Sequence, residues 1–147
     1  MNDMAIWQLS AVLVLLVQFA LGMVDNLYVT VPRDHPGAYA HDFFAGIPSG
    51  IGWAIAHGPL ALAAHATLGL AIVVAGIVTL IHAVRLRRRP AMVTSLVAAV
   101  AVVGAAFNGL SFINYHHDFS SLIMAGLFAV ALAAYAIGLF LTIHSPG

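Results

Sequence analysis

Long apolar runs separated by short polar islands organise this chain. Four stretches, 5–24, 59–84, 91–113 and 120–144, are almost continuously hydrophobic. Each has about 20 residues or more, and at about 1.5 Å rise per residue such a helix crosses the roughly 30 Å hydrocarbon layer of a bilayer. The pattern predicts an all-α integral membrane protein, a single transmembrane domain over 1–147 built as one antiparallel four-helix bundle. Small residues within the spans, Gly69 and Gly76 in the second and Gly104 and Gly109 in the third, allow close backbone approach where lipid supplies no hydrophobic drive for helix association.

The polar islands are unequal. The first, 25–58, is about 34 residues long, and loops of that length usually carry structure or function. It begins with turn signals in "VPRDHPG" and continues as "HDFFAGIPSGIGWAIAHG", which predicts a short amphipathic helix lying over the mouth of the bundle. Tyr28, Tyr39 and Trp53 suit a membrane interface. The island between the third and fourth spans, "NYHHDFSS", is so short that those helices must be antiparallel neighbours.

Composition makes the bilayer the solvent: 63% of residues are hydrophobic, 7% are charged, and mean hydropathy is +1.03. All five basic residues are arginines, and four lie in "RLRRRP", between Arg85 and Arg89. The positive-inside rule places that loop in the cytoplasm, with both termini on the same side and the 25–58 loop and "NYHHDFSS" outside. A prokaryotic inner membrane is the expected location. The first span lacks the basic n-region and the small-residue cleavage site of a signal peptide and is expected to be retained. Zero net charge with neutral histidines gives no reason for a nucleic-acid partner. With no cysteine, thiolate metal sites and c-type haem attachment are excluded.

Imidazole is therefore the strong nitrogen ligand available. Six of the eight histidines, His35, His41, His57, His65, His116 and His117, fall on the outer side in this topology, and His82 and His144 fall near the inner side. A cluster without cysteine suits haem iron or another metal. His65 lies about one and a half turns inside the second span, among alanines and leucines. Gly69 follows on its face and Gly76 returns to a similar azimuth, leaving the space a flat macrocycle between helices requires. A partner at similar depth on another helix is His117, at the start of the fourth span. His116 points about 100° away, so one of the pair faces the axis. Asp118 either accepts the distal N–H of such a histidine or caps the fourth helix. Gln18 and Asn108, polar within the spans, are expected to hydrogen-bond neighbouring helices. An inner site would use His82 and His144, but His65 and His82 lie about 25 Å apart along one helix with different azimuths, which favours one outer haem.

Four spans, an extended outer loop after the first, a histidine opening the second ("AHATLGLAIVVAGI") and another opening the fourth ("HHDFSSLIMAGLFAVAL") resemble one four-helix half of the haem A synthase family. The resemblance covers most of the chain. It implies axial haem ligation by His65 and His117, with His57 and His116 as alternates. It departs from the family in two respects: the chain contains no glutamate, where the family's catalytic half uses one on the outer side, and Ala66 stands where the family has an arginine after its second-helix histidine.

The expected function is a bis-histidine, b-type haem protein in electron transfer or haem handling at the outer side of the membrane. Bis-histidine ligation leaves no open position for oxygen. The alternatives are an accessory or assembly subunit of a larger membrane complex, and a protein binding copper or zinc through His35, His41, His116 and His117. Beyond lipid, the expected partners are a redox protein, a larger complex or a second copy of the chain.

Overall fold

The computed structural model describes residues 3–144. Five helices follow in order: α1 (Asp3–Tyr28), α2 (Phe43–Ala56), α3 (Leu60–Arg85), α4 (Arg89–Tyr115) and α5 (Asp118–His144). α1, α3, α4 and α5 are long and apolar enough to cross a membrane, and α2 is the short helix of the first loop. Each long helix runs 26 or 27 residues, so the helices extend beyond the apolar runs by up to a turn. At about 1.5 Å per residue they measure about 40 Å, leaving ends for the headgroup region.

The long helices form an up-down-up-down ring in which α1 touches α3 and α5, α3 touches α4, and α4 touches α5 along most of its length. Small side chains permit that last contact: Ala98, Ala101 and Val102 of α4 share a core with Ala131, Ala134 and Tyr135 of α5. Leu15 of α1 and Ile72 of α3 complete it. Outward faces carry Leu13, Val17, Val74, Val100 and Ile137, all exposed, as lipid contact demands. Gln8, Gln18, Thr79, Ser95 and Thr142 are buried instead. At the arginine end of the bundle, Thr142 Oγ1 donates to Gln8 Oε1 at 2.9 Å, joining α5 to α1.

Local chemistry sets the helix boundaries. Arg87, at φ 52°, ends α3 through the left-handed region, and Pro90 sits in the first turn of α4, where a missing N–H costs nothing. Asp42 caps α2 by accepting from Ala45 N at 2.8 Å. α4 ends at His116, also left-handed at φ 56°. α2 lies across one end of the ring, against α3 and α4.

Candidate functional site

At the α2 end the ring does not close. Gly22 of α1, Gly69 of α3, Ala105, Ala106 and Gly109 of α4, and Ala125 of α5 are too small to fill the space, leaving a cavity of about 740 Å³. Its walls are mainly apolar, including Leu15, Phe19, Leu70, Val102, Phe112 and Phe128, and Ile51 of α2 contributes to them. That volume is within the usual range for small-molecule and cofactor sites, about 300–1,000 Å³.

One corner of this wall is polar. The Gln18 side-chain amide of α1 donates to the His65 backbone carbonyl at 3.1 Å and to His65 Nε2 at 3.2 Å. His65 Nδ1 stands 3.9 Å from Asp25 Oδ2. The imidazole edge rests on Gly22, where an added Cβ would come within 3.0 Å of His65 Cε1. Gln18, Gly22 and Asp25 recur at helical spacing on one face of α1, so one helix presents an amide, a gap and a carboxylate to a single histidine of α3. Several of these polar atoms are buried without partners: Gln18 Oε1, His65 Nδ1 and both Asp25 carboxylate oxygens. Buried polar groups are nearly always hydrogen-bonded, so this corner is incomplete as it stands. Asn26, Asp118 and Ser121 add further polar groups to the lining.

"NYHH" has a different task. α4 ends with unsatisfied carbonyls, as every helix does. Here the 29–42 segment supplies donors: His35 Nε2 donates to Ile113 O at 3.0 Å and Tyr39 N to Asn114 O at 2.8 Å. In return, His116 Nε2 donates to Val31 O at 3.2 Å and Tyr115 Oη to Ala40 O at 2.8 Å. His35 is buried and stacked on Trp53 of α2, with ring centroids 4.3 Å apart. The fully buried Asn114 side chain reaches between Gly46 and Gly50 of α2, donating to Gly46 O at 3.4 Å. The end of α4 is thus the post to which the cap formed by 29–42 and α2 is tied.

The expected histidine pairing takes a different form. Of the histidines, only His65 lines the cavity. His116 is held in the cap, and His117 is exposed and stacked on Tyr115 at 5.8 Å. The left-handed turn at His116 ends α4 and α5 starts only at Asp118, so neither histidine occupies a helical position facing His65. His57 is exposed at the end of α2, and His41 is exposed in the 29–42 segment. Gly69 lines the cavity, whereas Gly76 is buried below it against Tyr135, where a Cβ would sit 3.4 Å from the phenol oxygen. At the arginine end, His144 is exposed and donates to Phe140 O of its own helix at 2.8 Å, while His82 lies beside Trp7. They do not share a cavity: the pocket at that end is about 20 Å³ and has neither in its lining. Among the described residues no three His, Asp or Glu side chains converge as a metal site.

Asp118 opens α5, exposed at the rim of the cavity. Gln18 bonds a neighbouring helix as expected, but Asn108 donates to Gly104 O of its own helix at 2.9 Å. Asp25 was absent from the expected site because the first apolar run stops at Val24. The signal for it was available in the spacing of Gln18, Gly22 and Asp25, which places a carboxylate on the same face as a buried amide. No protein-family model, curated protein or solved structure matches this chain.

Proposed function

We propose that this protein is an integral-membrane haem protein that takes a b-type haem into the cavity beneath α2, with His65 as an axial ligand, and serves electron transfer or haem handling. The observation that carries this reading is an apolar cavity of about 740 Å³ with one histidine in its wall. A haem needs a flat apolar slot with an imidazole in the wall that its face meets, and the small residues Ala105, Ala106, Gly109 and Ala125 leave space in the cavity that His65 lines. The unpartnered polar atoms around that imidazole fit a site completed by a ligand. The likeness in layout to one half of the haem A synthase family points the same way.

When bound, the haem supplies one-electron redox chemistry at its iron. The chain's own part is physical. His65 offers a ring nitrogen, Leu15, Phe19 and Phe128 supply apolar wall, and Ile51 brings α2 into the lining. Bis-histidine ligation finds no second histidine in the cavity wall. Met23 and Met124 do line it, and a histidine–methionine pair raises the potential of haem iron relative to two histidines. By the positive-inside rule, the Arg85–Arg89 cluster supports a cytoplasmic location for the opposite end of the bundle, with the cavity then lying toward the outer leaflet. Optical spectra of the purified protein before and after reduction test the reading. Sharp reduced bands support it, and a protein that stays colourless after exposure to haemin favours an accessory-subunit role.

A further inference from the structure

We infer that Gln18 and Asp25 fix the tautomer of His65, holding its proton on Nδ1 and presenting Nε2 as the electron-pair donor of the cavity. This deepens the proposed function by naming the ligating atom, but the tautomer itself is a property of the protein without haem. The Gln18 amide decides which ring nitrogen accepts. Its nitrogen lies 3.1 Å from the His65 backbone carbonyl, which can only accept, so that end of the side chain is the NH₂ group. The same nitrogen lies 3.2 Å from His65 Nε2. An NH₂ group only donates, so Nε2 accepts and the ring proton of a neutral imidazole is on Nδ1.

Asp25 stands where that tautomer needs an acceptor. Its Oδ2 faces Nδ1 at 3.9 Å, and neither carboxylate oxygen has another partner. A carboxylate behind one ring nitrogen orients the ring and raises the basicity of the other, an arrangement that recurs around metal-bound histidines. Asp25 is thus a positioning residue acting through His65. The ligand class follows. With Nδ1–H directed at a carboxylate, the imidazole offers the cavity a lone pair, which suits an electron-pair acceptor such as macrocycle-bound iron. A carbonyl-headed lipid cofactor, which needs an N–H, is disfavoured. In the haem-free protein Gln18 occupies that lone pair and must be displaced on loading.

The experiment is long-range proton–nitrogen NMR of ¹⁵N-histidine-labelled full-length protein in bilayer nanodiscs without haem. His65 is assigned by its loss in His65→Asn or, if that variant does not fold, by its contact with the Gln18 side-chain amide. A neutral ring protonated on Nδ1 in the wild type, with the second tautomer appearing in Gln18→Leu, is the expected result. A wild-type ring protonated on Nε2, or on both nitrogens, overturns the inference. Haemin is then added to the same sample. Loss of the His65 Nε2 lone-pair signal on loading supports the assignment of Nε2, and ligation with Nε2 unchanged overturns it. A sample that shows the Nδ1 tautomer yet takes up no haemin sinks the haem reading while upholding the tautomer.

Discussion

Gly50→Ala and Gly52→Ala make the same chemical change two residues apart on α2, and the structure predicts opposite results. In a helix the change from glycine to alanine is worth about 0.5–1 kcal/mol in favour of alanine, because less backbone entropy is lost. At Gly52 nothing lies within 4 Å of the new methyl group, so that gain is kept. At Gly50 the methyl collides with Asn114 Oδ1, and the Asn114 side chain is fully buried. Overpacking costs about 1–3 kcal/mol. Forcing the amide off Gly46 O leaves a buried polar group unpaired, about 1–3 kcal/mol more. Gly50→Ala therefore loosens the cap by about 1–5 kcal/mol net of the helix gain. The assay is amide hydrogen exchange of α2 in detergent or nanodiscs, where each 1.4 kcal/mol of opening free energy is tenfold in protection. Exchange at least about fivefold faster in Gly50→Ala, with Gly52→Ala equal to or slower than wild type, is expected. Equal protection in the two variants would refute the claim that Asn114 ties α2 to α4.

Other perturbations test neighbouring parts of the structure. Tyr115→Phe removes the donor to Ala40 O and should speed exchange in the 29–42 segment by a factor set by about 1 kcal/mol, leaving the transmembrane helices unaffected. Gly138→Ala places a methyl 2.5 Å from Gln8 Nε2 and 2.6 Å from Thr94 Oγ1, so thermal unfolding should shift down by the equivalent of about 1–3 kcal/mol. Gly22→Val drives a side chain against the His65 imidazole, whose Cε1 would lie 3.0 Å from the new Cβ, so the ring must shift and the haem-to-protein ratio after haemin loading should fall while helicity by circular dichroism holds.

Where sequence and structure agree, the cause is a strong local signal. The four spans were readable because unbroken apolar length has few alternatives in lipid, and α2 because "HDFFAGIPSG" supplies both an Asp42 cap and an apolar face. The site was only half readable. A histidine inside an apolar helix beside glycine marked His65 and Gly69, and Gln18 followed from the cost of a polar group at membrane depth. The "NYHH" stretch misled because its meaning depends on which chain segment comes to cap the carbonyls of Ile113 and Asn114, a tertiary fact. Treating His116 and His117 as consecutive helical positions failed for a local reason, the left-handed backbone at His116. Gly76 looked like part of a slot because azimuth along a helix does not say where the neighbouring helix has closed in, and here Tyr135 has done so.

The central claim is that His65 holds a haem in the cavity beneath α2. Reduced-minus-oxidised spectra of wild type and His65→Ala, both reconstituted with haemin in bilayers and matched for helicity, test it most directly. Sharp reduced α and Soret bands are expected in the wild type, and their loss in His65→Ala. Identical spectra from the two proteins, or a wild type that binds no haem, would contradict it.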